Sequence, residues 1–178
     1  MTKQYLPPLS EITEPDNPDH GIQLIARIND VLNYPNRSYS FYKQGNFLSI
    51  VYHWIITPKN KASYLATEQF DAPLEILPWF INKLEFFRKP SKENGLPANK
   101  IATDKEKVNG EYIILGRAMD AGNARREGGY ILDNLDRKDH HKISTNPQDI
   151  TFSDSFLFEG GLMDLWKDLT EKYQKGTL

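Results

Sequence analysis

Apolar residues recur at helical spacing in three segments of the chain, which predicts three amphipathic helices. The predicted helices cover residues 21–33, 74–89 and 162–174. Prolines stand just beyond the first two, at Pro35 and Pro90, where a helix must end. The third stripe is the most regular and consists of Leu162, Leu165, Trp166, Leu169 and Tyr173.

Between the predicted helices the apolar positions alternate with a period of two, which is typical of β-strands. The segments with this period are residues 38–44, 47–57, 62–70, 111–119, 129–134 and 150–158. The second of them is apolar on both faces, which predicts a central strand covered on two sides. Residues 91–110 are polar, show no period and are predicted to form the longest loop.

The order of these elements is α-βββ-α-ββ(β)-α, which indicates an α+β fold with a mainly antiparallel sheet and about three helices. The order also hints at two halves of three strands and one helix, although the residues show no repeat. A length of 178 residues is typical of one domain, which we place at residues 21–178. Residues 1–20 hold four prolines and are predicted to form an extended arm, either packed on the domain or disordered.

Composition narrows the classes of function that the chain can have. It has no cysteine, so disulfides, thiolate zinc sites, iron–sulfur clusters and a cysteine nucleophile are excluded. Its 22 basic and 24 acidic residues give a net charge of −2, without the basic excess that is typical of nucleic-acid binding. No apolar run is long enough to span a bilayer, and the first ten residues lack a signal-peptide pattern. We expect a soluble cytoplasmic protein with neither a membrane nor a nucleic-acid partner.

The densest group of polar residues lies between residues 117 and 142. The adjacent Arg125 and Arg126 could hold a phosphate or carboxylate in bidentate geometry, and the glycines nearby allow close approach of a backbone. The alternative interpretation is a hairpin whose charges are simply solvated. The candidate ligand-binding residues are Arg117, Asp120, Arg125, Arg126, Glu127, Tyr130 and His140, together with His53 from an earlier strand.

The histidines give little support to a metal site. His140 and His141 are neighbours, and neighbouring residues of a strand point to opposite faces. Their spacing matches no zinc signature, so neither a metal nor a cofactor is predicted. His53 lies beside Trp54 in an apolar strand, where it is either a hydrogen-bonded structural histidine or a general acid or base.

Known catalytic and nucleotide-binding motifs do not occur in the chain. It contains no GxGxxG loop, P-loop, GxSxG elbow or HExxH pair. Aromatic residues crowd the hairpin formed by residues 38–44 and 47–57, where they can stack on bases or fill a core. Core packing is the simpler interpretation.

The leading hypothesis is a non-catalytic binding protein that recognises a protein partner or a small anionic ligand. Its expected recognition surface is segment 117–142 together with loop 91–110. Homodimerisation through strand edges or aromatic faces is compatible with the same pattern. The alternative is an enzyme for an anionic substrate, in which arginines of segment 117–142 hold the charge and a carboxylate or histidine moves protons.

Overall fold

The computed structural model describes residues 4–95, 103–141, 143 and 145–178. The chain folds into two antiparallel sheets of four strands, each followed by helix. The first sheet, in the order β1-β2-β3-β4, consists of β1 (Ile22–Asn29), β2 (Ser38–Gln44), β3 (Phe47–Ile56) and β4 (Tyr64–Pro73). The second sheet, in the order β5-β6-β7-β8, consists of β5 (Thr103–Val108), β6 (Glu111–Ala118), β7 (Gly129–Lys138) and β8 (Pro147–Ser153).

Three α-helices complete the described part of the fold. They are α1 (Ile76–Arg88), α2 (Asp154–Phe158) and α3 (Leu162–Gln174), and a single 3₁₀ turn follows α1 at Ser91–Glu93. The predicted α+β class with mainly antiparallel sheet is therefore confirmed. Each half contains four strands before its long helix, one more than the pattern of three strands and one helix that the sequence suggested.

One hydrophobic core joins the inner faces of both sheets to α1 and α3. Trp166 of α3 is fully buried at its centre, with its ring centroid 5.9 Å from that of Phe41, 4.3 Å from Phe80 and 6.1 Å from Phe152. Its indole N–H donates a hydrogen bond of 3.0 Å to the backbone oxygen of Leu77. The two halves of the chain thus share one core, and Trp166 contacts aromatic side chains from both of them.

Two of the three predicted helices are confirmed. The helix predicted over 74–89 is α1, and the one predicted over 162–174 is α3. Pro78 is the third residue of α1. Backbone N–H groups in the first turn of a helix have no partner within the helix, so a proline is accommodated there.

The helix predicted over residues 21–33 is wrong, because Ile22–Asn29 form the edge strand β1. The pairing of β1 with β2 shifts in register between Leu24 and Ala26, which is a β-bulge. The shift breaks the period of two, so that Ile25, Ala26 and Ile28 all pack against the core. Such spacing in the sequence resembles that of a helix.

Other boundaries also differ from the sequence prediction: the strand predicted over 129–134 extends to Lys138, and the one predicted over 62–70 is Tyr64–Pro73. Part of the loop predicted over 91–110 is strand β5, and residues 96–102 lie outside the described residues. The strand predicted over 150–158 ends at Ser153, since the Ser153 hydroxyl accepts the backbone N–H of Phe156 at 3.3 Å and caps α2.

Residues 4–20 contain neither helix nor strand and lie along both sheets. The backbone N–H of Leu6 donates to the backbone oxygen of Asp136 at the end of β7, at 2.8 Å. Further along, Ile12 is buried against Tyr42 and Val51 on the outer face of the first sheet. The first half of β3 is therefore covered on both faces, as predicted, whereas Ile55 near its end is exposed.

Strands β4 and β8 face each other where the two sheets meet, and we call this contact the seam. Side chains bridge it. The backbone N–H of Asp71 donates to Oε1 of Gln148 at 2.7 Å, and Asn134 donates to the backbone oxygen of Asp71 at 2.8 Å. The opposite edges of the sheets are β1, which carries the bulge, and β5, whose exposed side chains include Lys105 and Lys107.

A buried ion pair lies close to the seam. The guanidinium of Arg137 on β7 donates to both carboxylate oxygens of Glu111 on β6, at 2.9 and 2.5 Å, and each side chain is only 5% exposed. Asn134 also donates to this carboxylate, while Arg137 donates to the backbone oxygen of Pro7 and lies 4.7 Å from the ring of Phe47. Arg137 therefore contacts the arm through Pro7, the first sheet through Phe47 and the second sheet through Glu111.

Among the described residues, no helix is both long enough and apolar enough to cross a membrane.

Candidate functional site

The residues that the sequence singled out do not converge on one pocket. Arg117 forms a bidentate ion pair with Asp154 at the start of α2, at 2.5 and 2.6 Å, and its guanidinium lies 4.8 Å from the ring of Tyr130. The hydrogen bonds that Arg117 donates to Asp154 outweigh partial burial and raise the pKa of Arg117. Tyr130 is buried among aromatic side chains. Arg117 and Tyr130 therefore have a structural role, because they connect β6 and β7 to the start of α2.

The loop between β6 and β7 holds four more of these candidates. Asp120 accepts the backbone N–H of Gly122 at 2.8 Å and shapes the turn. Arg125 and Arg126 are exposed, and Arg126 adopts a left-handed conformation with φ of 49°. The carboxylate of Glu127 accepts hydrogen bonds from Asn123 and Ser155.

Glu127 belongs to a polar cluster that the sequence did not reveal. Asn33, in the loop after β1, donates to Asp30, to Ser153 and to Ser155 at 2.9 to 3.3 Å. Asn123 in turn donates to Asn33 and to Glu127, while Ser155 donates to Glu127. The cluster joins the loop after β1, the loop between β6 and β7, and the junction of β8 and α2. Its members are Asp30, Asn33, Asn123, Glu127, Ser153 and Ser155. Nothing in the local sequence pattern predicts it, because its members lie far apart in the chain.

His53 lies on the outer face of the first sheet, close to the arm. Its Nε2 is 3.5 Å from the hydroxyl of Ser40, which itself accepts a hydrogen bond from Arg27. Burial and the charge of Arg27 lower the pKa of His53. Arg27 is paired with Asp16 of the arm at 2.6 Å. His53 is therefore part of the contact between sheet and arm.

His140 occupies a different position, at the seam. Its Nε2 lies 2.9 Å from Oδ2 of Asp71, a carboxylate on β4 with no exposed surface. Three further side chains donate to the same carboxylate: Ser49 at 2.5 Å, Gln69 at 2.8 Å and Gln148 at 3.0 Å. A buried carboxylate with four hydrogen-bond partners is held rigidly, and it fixes the orientation of the imidazole ring.

A cavity of about 130 Å³ opens beside His140. Carboxylates from four parts of the chain line it: Glu11 of the arm, Glu68 of β4, Asp139 after β7 and Asp149 of β8. His140 and His141 also line it, and no lysine or arginine occurs among the described lining residues. We call this cavity the acidic pocket.

The carboxylates of the acidic pocket repel one another. Burial, together with the charges of Glu68 and Asp139, raises the pKa of Asp149. The neighbouring Asp133, paired with Asp149 across β7 and β8, is buried further, and this burial with the charge of Asp149 raises its pKa to about 6. The pKa of Asp149 thus rises first through burial and then through repulsion by two other carboxylates that line the acidic pocket.

Comparison with protein-family models, curated proteins and solved structures found no match to this chain. Function is therefore inferred from the chemistry of the site.

Within the described residues, no group of three or more histidine and carboxylate side chains is placed to hold a metal ion. The carboxylates surround the acidic pocket but do not point to a common centre. The arrangement suits a cation with several hydrogen-bond donors better than a bare ion.

Sequence reasoning identified His140 and missed the rest of the acidic pocket. Asp71 stands in an apolar stretch at the end of β4, and an isolated carboxylate among buried neighbours is the one signal that could have marked it. Glu11, Glu68 and Asp149 lie in three separate segments and look like ordinary surface charges in the sequence.

The contact between His140 and Asp71 predicts a pH dependence of stability. Burial by itself lowers the pKa of His140, but the hydrogen bond to Asp71 and the charge of that carboxylate outweigh it and raise the pKa. A raised folded-state pKa means that the stabilisation is fully present below about pH 6.5 and is lost as the pH rises through the folded-state value.

The measurement is an NMR titration of His140 together with urea unfolding at pH 6 and pH 9. We expect the stability advantage of the wild type over His140→Gln to shrink at the higher pH. In Asp71→Asn the burial remains but the charge is gone, so the pKa of His140 should fall below about 6.5. A wild-type midpoint at or below that value would contradict the assignment.

Proposed function

We propose that the protein is a non-catalytic binding protein whose acidic pocket takes a cationic group of a small ligand or of a protein partner. The observation that carries the proposal is the lining of this cavity, with four carboxylates, two histidines and no lysine or arginine among its described residues. A bound cation would relieve the repulsion that raises the pKa of Asp149.

The size of the acidic pocket favours the head of an amine or guanidinium over a whole nucleotide or sugar. Its volume of about 130 Å³ is small, but a second cavity of about 340 Å³ shares three of its lining residues, the segment 139–141. Tyr5, Leu6 and Pro8 of the arm line it together with Lys138, so the apolar portion of a ligand, and not its cationic head, would lie there. A ligand with a cationic head and an apolar portion suits this pair of cavities.

A small anionic ligand, which the sequence suggested, receives less support. Arg117 is paired with Asp154, and Arg125 and Arg126 lie exposed on a loop that shares no cavity with His140. An enzyme for an anionic substrate requires these groups to surround one reacting centre. The structure places them apart, and the cavity beside His140 has the charge that repels an anion.

Catalysis on a neutral or cationic substrate is the second candidate, favoured by the contact between His140 and Asp71. A histidine oriented by a buried carboxylate is an arrangement that general bases use. A panel of cationic and neutral esters and amides tests it. Turnover that His140→Gln abolishes would support catalysis. If no compound of the panel is turned over, with or without divalent ions, binding remains the proposed function.

Isothermal titration calorimetry with arginine amide, lysine amide and citrulline amide tests the binding proposal. The citrulline side chain has nearly the shape of the arginine side chain but no charge. With all three compounds used as Nα-acetyl amides, we expect the arginine or lysine compound to bind and the citrulline compound to bind at least tenfold more weakly. Binding should strengthen as the pH rises from 5 to 8, because Asp133, which neighbours Asp149 and has a pKa of about 6, becomes ionised over this range.

Two neutralising variants sharpen this test. Asp149→Asn and Glu11→Gln should each weaken binding of the cation by on the order of tenfold, since each removes one negative charge from the acidic pocket. Asp164→Asn is the matched control, because this exposed carboxylate lies on α3, in the helix layer on the other side of the sheets. Equal affinity for citrulline amide, or equal loss in the control, would overturn the proposal.

A further inference from the structure

A second surface, away from the acidic pocket, lies at the far end of the first sheet. It is formed by the loop between β1 and β2 and by the end of β3, which together enclose a cavity of about 280 Å³. We call it the Arg37 patch; its lining residues are Asn33, Tyr34, Pro35, Asn36, Arg37, Trp54 and Ile55. Ile55 is 66% exposed, and its cross-strand partner Leu65 on β4 is 43% exposed. The cavity therefore continues into an exposed apolar surface.

Arg37 lies against a stack of aromatic rings. Its guanidinium carbon is 4.2 Å from the ring centroid of Tyr34, 5.0 Å from that of Trp54 and 5.2 Å from that of Tyr52. The rings of Tyr52 and Trp54 are themselves stacked, 5.7 Å apart and inclined by 12°. Cation–π contacts of this kind fix the plane of a guanidinium. Arg37 also interacts with the hydroxyl of the buried Tyr39, and its remaining N–H groups stay able to bind.

No described carboxylate forms an ion pair with Arg37. Asp30, whose carboxylate interacts with the charge of Arg37, is bound by the backbone and side-chain N–H groups of Asn33, at 3.1 Å each to Oδ1. The guanidinium thus carries a charge that the fold neutralises only from a distance. A carboxylate of a binding partner could therefore form the ion pair with Arg37 that the described residues do not provide.

The Arg37 patch is held rigidly before any partner arrives. The hydroxyl of Tyr34 donates to the backbone oxygen of Gly122 at 2.6 Å, and Asn33 is anchored in the polar cluster of both halves. A preformed surface loses little conformational freedom on binding. Tryptophan, tyrosine and arginine are also the residue types that contribute most binding energy in protein interfaces.

We infer that the Arg37 patch docks a protein partner that presents a carboxylate next to a large apolar side chain. The carboxylate binds the N–H edge of Arg37 in bidentate geometry, and the apolar side chain enters the cavity beside Trp54 and Ile55. This recognition is of opposite charge to that of the acidic pocket, and it stands on separate residues. It therefore holds whether or not the acidic pocket binds a cation.

Selection from a random twelve-residue peptide library on the immobilised full chain tests this inference. We expect the selected peptides to be enriched in Asp or Glu directly beside Leu, Ile, Phe or Trp. A synthetic peptide of the most enriched sequence should lose at least tenfold in affinity when its carboxylate is replaced by the amide, and again when the protein carries Arg37→Gln.

Controls separate charge from folding. Lys167→Gln removes an exposed cation on α3 and should leave peptide affinity unchanged. Arg37→Lys keeps the charge but not the forked geometry and should bind between the wild type and Arg37→Gln. No enrichment, or enrichment without a carboxylate, would overturn the inference. So would a concentration-dependent dimer in sedimentation velocity that Arg37→Gln abolishes, because the occupant would then be a second copy of the chain.

Discussion

Arg137→Met is expected to lower the free energy of unfolding by about 3–5 kcal/mol. The substitution removes the partner of Glu111, whose carboxylate remains 95% buried with only the amide of Asn134 to bind it. An unpaired charge in the interior costs far more than an ion pair contributes, because the desolvation is no longer offset. Urea unfolding followed by circular dichroism measures the change.

The double variant Glu111→Leu with Arg137→Met is the control for this result. It removes both charges and replaces them with apolar side chains, so we expect it to recover most of the stability that the single variant loses. Arg137 also donates to the backbone oxygen of Pro7, and that bond is absent from both variants. A single variant within about 1 kcal/mol of the wild type would show that the pair is hydrated in solution.

Trp166→Ala is expected to have a comparable effect, about 3–5 kcal/mol, for a different reason. The substitution empties the centre of the shared core, where Phe41, Phe80 and Phe152 contact the indole. It also leaves the backbone oxygen of Leu77 without its donor. Trp166→Phe keeps most of the volume and should cost less than the alanine variant.

Trp79→Ala on α1 is the matched control for Trp166. Its side chain is only partly buried and its indole N–H donates to the exposed carboxylate of Glu106 at 2.9 Å. We expect roughly 1 kcal/mol for this variant, the usual cost of a partly exposed contact. Equal losses at the two positions would mean that Trp166 does not join the halves of the chain as its contacts indicate.

The elements that the sequence predicted best are those that bury one regular face. Helix α3 was predicted with its correct ends, because its apolar positions keep one period over the whole helix. Strand β1 was mistaken for a helix, since its bulge puts Ile25, Ala26 and Ile28 on the buried side. Strand β5 could not be found at all, because on an edge strand its lysines and glutamate face solvent and only Val108 is buried among its described side chains.

The candidate site was less accessible to prediction than the fold. His140 was selected from the sequence and does line a cavity, but its partner Asp71 is 69 positions away in the chain. Such pairs depend on how the two sheets meet, which local patterns do not encode. Ligand binding by Arg125, Arg126 and Asp120 stays a prediction, and the structure shows them on an exposed loop.

The seam has a consequence for the protein at high concentration. Two four-stranded sheets have four edges, and unpaired strand edges are templates on which other chains add and aggregate. Here β4 and β8 cover each other, and the bulge interrupts β1. The exposed charges of Lys105 and Lys107 disfavour pairing of another strand with β5. Intact molecules therefore offer few places for edge-to-edge growth. Aggregation should begin instead from partly opened molecules in which the seam has separated and two more edges are free.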